Sequence, residues 1–447
     1  MLLSAQKAKI KTEGDFMKEK LKLGVAVADI TPPVGTLLFG YRPDLHSESV
    51  NDNLTATAFA FSQGEEKYVM VTVCVCLLDT TVTDELRDII SREHGVEKGN
   101  ILICATHTHS GPSTNNMPGW GEVDMPYYES ILKPNLIKAV ADAFDNIQYV
   151  TMGLGVGKSD LGVNRRQLEK DNSVSLGQCP WGAYNPQMTV LSFKNEEGKV
   201  IANLIHYGCH GTCAGVNKEI SRDWSGVMTD ALEAHSGAIT AFFNGPEGDV
   251  GPRLSNGATT AELRYIYEVG EIGAKDAIRI FDSIQEYKNV SVSSFSGKVK
   301  LPYDKRVPYE EAVEACKQSA DDLINKDKQI AVYYNKVKES YENGYVEKDF
   351  TEIEQSIIRI GDVAFAGFPY ELFSEIGMRI NKAVDDLNVL SLSNANGSKG
   401  YFPTQDQLCR GGYEITMFKF NSVQCFTDDA DFHLMTGTLK NIEKLER

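Results

Sequence analysis

Two histidines, His107 and His109, stand one residue apart in Thr106-His107-Thr108-His109, directly after the apolar run Ile101-Leu102-Ile103-Cys104-Ala105. A run of that length, bounded by Gly99-Asn100 and Gly111-Pro112, reads as a buried strand. Residues two apart on a strand face the same way, so both imidazoles are expected on one face at the strand's carboxyl end. Open α/β sheets bind their ligands there. The chain holds 8 histidines in 447 residues, and two at this spacing favour a metal site over a pair of hydrogen-bonded surface rings. A metal needs further ligands. His206 and His210 end another strand-like run, and the small residues after His210 let backbone and substrate approach closely. Cys209 and Cys213 bracket His210, but no CxxC pair completes a thiolate site, so imidazole and carboxylate ligands are the better expectation. His46, His94, His235 and His433 lie in polar or helical contexts and read as surface or packing residues.

The totals bound the function. Hydrophobic residues make up 42% and charged residues 24%, as in ordinary soluble proteins. A formal net charge of -17 argues against nucleic-acid or anionic-membrane partners. No apolar run is long enough to span a bilayer, and residues 1–20 form a charged leader without the apolar core of a secretory signal. Nine cysteines, an odd number, lie largely within apolar runs, which suits buried thiols in a reducing cytoplasm.

The elements that must position the histidines follow from periodicity. Strands are expected at 22–31, 54–61, 68–78, 101–105, 149–157, 187–194, 199–208, 239–243, 288–301, 357–367 and 387–392. Helices are expected at 81–94, 126–147, 225–236, 259–284, 371–384 and 429–447. Residues 110–125, rich in Gly, Pro, Ser and Asn around an exposed-looking Trp120, read as a loop at a pocket mouth. Residues 303–350 carry charged helical sequence that reads as an insertion, either a cap or peripheral solvated helices. The simplest organisation is one large mixed-sheet α/β domain over 21–447.

At this point the motifs become specific. Ala105-Thr106-His107-Thr108-His109-Ser110-Gly111-Pro112 resembles the signature of the neutral/alkaline, non-lysosomal ceramidase family. Further segments resemble that family in the same order: Asn164-Arg165, His210 ahead of Ser221-Arg222-Asp223, the turn 245–252, Pro369-Tyr370-Glu371, and the two tyrosine motifs around Tyr401 and Tyr413. The resemblance runs from Gly24 to about Glu414. It implies the ceramidase catalytic fold and one zinc ion held by His107, His210, Glu371 and Tyr401, with His109, Arg165 and Tyr413 lining the pocket as catalytic residues. Those residue types suit zinc with a position left open for water. Under the resemblance Arg165 or Tyr413 donates to a developing oxyanion and His109 moves a proton to the leaving amine. An alternative for His109 is to orient Asp249 or another carboxylate. Without the resemblance, Glu371 reads as a carboxylate at a helix start, and the neighbour Arg166 leaves the arginine assignment open by one residue.

Two departures stand out. The family's serine after Gly-Asp-Val is Gly251, and its Pro-Gly-Glu is Pro-Tyr-Glu, which sets bulky Tyr370 beside a ligand. Neither a secretion signal nor room for a C-terminal β-sandwich is expected in this sequence. The resulting expectation is a zinc-dependent hydrolase of a linear amide in a small-molecule substrate, smaller or more polar than ceramide. The alternatives are a zinc-dependent ester or lactone hydrolase, a metal-assisted lyase or isomerase, and a non-catalytic binding protein that keeps the fold. Oligomeric state is not legible.

Overall fold

The computed structural model describes residues 19–117, 120–322 and 328–445; nearly all of the expected leader lies outside the described residues. The first half builds a mixed sheet from β1 (Lys22–Asp29), β2 (Thr55–Gln63), β3 (Glu66–Val73), β4 (Ile101–Ala105), β5 (Gln148–Lys158), β6 (Gln187–Asn195), β7 (Val200–Tyr207) and β8 (Ile239–Asn244). Their order is β8-β7-β6-β5-β1-β2-β3-β4, with the short Tyr287–Lys288 strand added beside β5. Hairpins make most neighbours antiparallel, while β3/β4 and β7/β8 run parallel across helical connections. A second sheet, β9 (Val292–Pro302), β10 (Phe350–Ile360), β11 (Val363–Gly367) and β12 (Asn388–Leu392), pairs in sequence order and ends in the parallel pair β11/β12.

The two sheets face one another. Phe59, Met70, Leu102, Phe193 and Phe243 of the first interlock with Ile358, Phe365, Leu390 and Leu392 of the second. Helices α1 (Thr80–His94) and α2 (Lys133–Asp145) cover the outer face of one half of the large sheet. Helices α3 (Trp224–Ser236) and α4 (Arg264–Asp282) cover the other half. Outside the second sheet lie α7 (Ser374–Lys382), α8 (Tyr413–Lys419) and α9 (Ala430–Ile442). The expected charged insertion forms two helices, α5 (Tyr309–Asp322) and α6 (Lys328–Glu342), and the buried Tyr333 of α6 packs on Phe420 with ring centroids 4.9 Å apart. No helix among the described residues is long and apolar enough to cross a membrane.

Three local expectations are corrected. The run 357–367 is not one strand: Gly361 at φ +60 turns the chain between β10 and β11. Both strands are almost wholly buried there, so no polar face marked the turn. Glu371 does not begin a helix; α7 starts at Ser374, and Glu371-Leu372 form a short extended pair with Tyr401-Phe402. Trp120 is half-buried against Phe39, Cys76, Leu77 and Met117 rather than exposed.

Candidate metal centre

All the groups named by the motifs gather at one end of the sandwich, beyond the carboxyl ends of the parallel strands. β4 leads into His107, β7 into His210, β8 into Glu247, β11 into Glu371 and β12 into Tyr401. Strand alternation does not align the histidine pair as expected, because β4 stops at Ala105 and His107 takes a left-handed backbone, φ +68. That conformation is costly for a non-glycine residue, and the surroundings impose it. Gly211 N donates to His107 O at 3.2 Å and His109 N to Gly211 O at 3.1 Å, tying the two histidine loops together. A Cβ on Gly211 would lie 2.7 Å from His107 O, so only glycine allows this approach.

The tautomers follow from the second nitrogen of each ring. His107 Nδ1 donates to Cys76 O at 2.9 Å, His210 Nδ1 to Glu247 O at 2.8 Å and His109 Nδ1 to Gly40 O at 3.0 Å. Every Nε2 lone pair is thereby left facing inward. His109 Nε2 lies 3.3 Å from His107 Nε2, and Glu371 Oε2 lies 3.4 Å from His107 Nε2 and 3.2 Å from His210 Nε2. Tyr401 Oη is 3.3 Å from His210 Nε2. Glu371 Oε2 is buried with no hydrogen-bond donor. Ligand atoms of His107, His210 and Glu371 all fall within 4.8 Å of one another. Converging lone pairs around an undonated carboxylate oxygen repel one another unless a cation sits among them, so this set fits a metal ion. Two imidazoles, a carboxylate and a phenol oxygen are ligands zinc accepts. Cys76 also lies near, Sγ to His107 Nδ1 at 3.7 Å, but it faces the nitrogen already engaged by a carbonyl.

Without an ion the site pairs its own charges: burial lowers His107, but Cys76 and Glu371 together raise it well above the ordinary imidazole value, so it is the ring a bound cation would have to deprotonate. Burial alone would protonate Glu371, but His107 and then His210 hold its carboxylate well below the usual range. Burial, with Arg165 and His107 adding, lowers His210 to about 3, so its ring stays neutral and free to ligate. Burial and the two neighbouring imidazoles push His109 well below the ordinary value.

The remaining residues form a positioning layer. Arg165 Nε donates to Glu414 Oε1 at 2.8 Å and Arg165 Nη2 to Tyr401 Oη at 2.9 Å. Arg166 Nη1 takes the other Glu414 oxygen at 2.7 Å, so of the two neighbours it is Arg165 that bonds Tyr401 Oη. Tyr413 stands at the rim, its ring 5.7 Å from that of Tyr401. His109 does not orient Asp249, contrary to the alternative above. Asp249 instead accepts from Ser374 N at 2.7 Å and Asn164 Nδ2 at 3.2 Å. His206 also lies apart, bonded to Ser391 O at 2.9 Å. Cys209 and Cys213 are core residues of another cluster.

Sequence reasoning gave no role to several partners, although Asp223 lies in a motif named above. Glu414 adjoins Tyr413 and bridges both arginines. Glu247, whose carbonyl fixes His210, is fully buried, and its carboxyl is raised by burial to about 8. Asp223, at φ +57, accepts from Cys213 N, Ala214 N and Trp224 N, and Trp224 Nε1 in turn binds His210 O. Only adjacency within the motifs could have flagged them, because their partners are distant in the chain.

Both departures from the motifs have a packing reason. Tyr370 points away from the site and stacks edge-on against Phe402, centroids 4.8 Å apart, inside the core. A Cβ on Gly251 would lie 2.6 Å from Thr259 Cβ, so Thr259 fills the space a serine would need. Gly251→Ser is therefore expected to destabilise the fold by about 1–3 kcal/mol. An unchanged melting temperature would show that Thr259 can move aside.

Asp249 supplies a pH prediction. Burial raises its carboxyl to about 7, above the ~3.9 of an unfolded aspartate. The native protein retains a proton that the unfolded chain loses between these values. Stability present at low pH is accordingly lost as pH rises toward 7 and beyond. Melting temperature is expected to fall from about pH 5 to about pH 8, and Asp249→Asn to flatten the decline. An identical slope in the variant would refute the assignment.

The fold has close counterparts. The fold matches the crystal structure of neutral ceramidase from Pseudomonas aeruginosa with a TM-score of 0.75 and 19% identity, over 95% of this chain and 74% of that one. The profile described as neutral/alkaline non-lysosomal ceramidase, N-terminal, matches residues 21–265. The chain belongs to that family. It is 25% identical over 254 residues to neutral ceramidase A of Dictyostelium discoideum (52% of this chain, 36% of that protein). It is likewise 25% identical over 266 residues to neutral ceramidase B of the same organism (54% and 36%). The alignments thus cover about a third of the length of these curated relatives.

Proposed function

We propose that the chain is a zinc-dependent hydrolase of a linear amide bond, acting on a small molecule smaller or more polar than ceramide. One observation carries this reading: the inward Nε2 atoms of His107 and His210 and the undonated Oε2 of Glu371 converge beside Tyr401 at the floor of a cavity. When bound there by His107, His210, Glu371 and Tyr401, zinc would polarise a carbonyl and acidify water toward neutral pH. The chain's own groups would do the rest. His109, neutral and with its Nε2 lone pair turned inward, is placed to take a proton from the attacking water and pass it to the leaving amine. Tyr413 at the rim would be a donor to a developing oxyanion, and Arg165, held in line by Glu414 and bonded to Tyr401 Oη just behind the cavity, would add its charge.

The cavity supports a small substrate. Its volume is about 100 Å³, with Phe39, Leu77, Met117 and Trp120 on one side and Asn116, Lys399 and Asn421 contributing polar groups. Drug-sized ligands occupy roughly 300–1,000 Å³. The charge of -17 weighs against nucleic-acid and stable anionic-membrane partners, and nine unpaired cysteines support a cytoplasmic location.

The test is metal analysis of the purified protein, followed by chelation, zinc re-addition and assay against short- and long-chain N-acyl amides. Stoichiometric zinc and zinc-restored cleavage of short amides are expected. Strong preference for long-chain ceramide would overturn the substrate reading, and zinc-loaded protein inert toward every amide would overturn the reaction.

A further inference from the structure

Lys399 is the one lysine among the described residues that line the metal-site cavity. Its backbone is fixed on both sides: Lys399 N donates to Pro369 O at 2.7 Å, and Asn421 Nδ2 donates to Lys399 O. Two residues on is Tyr401, whose phenol oxygen meets His210. The Lys399 ammonium has no ion pair among the described residues. Asp84 is the acid that bears on it, and Asp84 is already paired with Arg87 at 3.3 Å and Lys98 at 3.5 Å. Next to it, Ser398 Oγ is buried, lacks any hydrogen-bond partner and lines the same cavity.

A lysine stem is long enough to carry its charge out to water, and an ammonium kept partly desolvated without a counter-charge is unfavourable. An unpaired cation and a free hydroxyl, side by side in the wall of a reaction cavity, together make the recognition element for a carboxylate. Phe39, Met117 and Trp120 offer nothing but apolar surface to the rest of the ligand.

We propose that Lys399 and Ser398 receive a carboxylate of the substrate, so that the amides cleaved here are N-acyl amino acids rather than neutral amides. This rests on the amide-hydrolase reading and narrows its substrate class. The reaction is ordinary hydrolysis: water adds across the C–N bond, giving a free carboxylic acid and an amino acid.

The experiment compares N-acetylalanine with N-acetylalaninamide, in which the carboxylate is a neutral carboxamide, following acetate release by the zinc-loaded protein. Wild type is expected to prefer the acid in kcat/KM by about 30-fold. Lys399→Met should collapse that ratio toward one, while Lys399→Arg keeps most of it. A wild-type ratio near one, or a ratio that survives in K399M, would overturn the proposal. Calorimetric titration of N-acetylalanine separates this from failure of the parent reading. Binding to wild type but not to K399M, with neither compound cleaved, would uphold the carboxylate site and sink the amide hydrolase. Cleavage of the carboxamide with no preferential binding of the acid would do the reverse.

Discussion

Replacing His210 with alanine is expected to abolish zinc uptake and lower amide hydrolysis by about 10³-fold or more. The ring is fully buried, and its Nδ1 is fixed by Glu247 O, so its Nε2 has one direction available. Without it, Glu371 Oε2 loses one of two neighbouring imidazoles, and His107 alone cannot hold the ion. His206 provides the contrast. It is equally embedded in a strand ending at the same edge, yet its Nε2 is spent on Ser391 O. His206→Ala is expected to cost stability and leave metal content intact. Equal zinc in H210A and wild type would end the assignment of this centre.

The second large effect falls on Arg165. Arg165→Met is expected to keep the metal and lose about 10²–10³ in kcat, the scale of removing one donor aimed at an oxyanion. Glu414 retains its bond to Arg166 at 2.7 Å, so the carboxylate does not become wholly unpaired. Arg165→Lys should recover little, because one ammonium cannot serve Glu414 and Tyr401 at once as the guanidinium does. Zinc analysis and a melting curve accompany the kinetics. A variant with wild-type kcat would show that Arg165 only packs.

Much of this could be read from the sequence, for physical reasons that vary by element. The apolar run at 101–105 between turn residues forms the buried strand it promised, because length and boundaries identify a central strand. The hairpin 55–73 is equally legible, since Gly64 and its polar neighbours interrupt two apolar runs. Glu371 was misplaced in a helix because the helical pattern of 374–382 extends backward over it, and only pairing with Tyr401, thirty residues on, makes it extended. The convergence of the histidine pair does not come from strand alternation. Its rings converge through the left-handed turn at His107 and the bridge to Gly211, neither of which has a local sequence mark. Glu247, Glu414 and Cys76 act through contacts tens to hundreds of positions away, beyond any periodicity.

The candidate ligands are shared between the two sheets. His107 and His210 hang from the first sheet, Glu371 and Tyr401 from the second, and the seam between them is closed by Ala105 N to Asn394 O and Gly248 N to Leu372 O. Neither half by itself owns a coordination sphere. A bound cation would act as a rivet across that seam: a nascent chain would acquire it last, and its loss on heating would coincide with the halves parting.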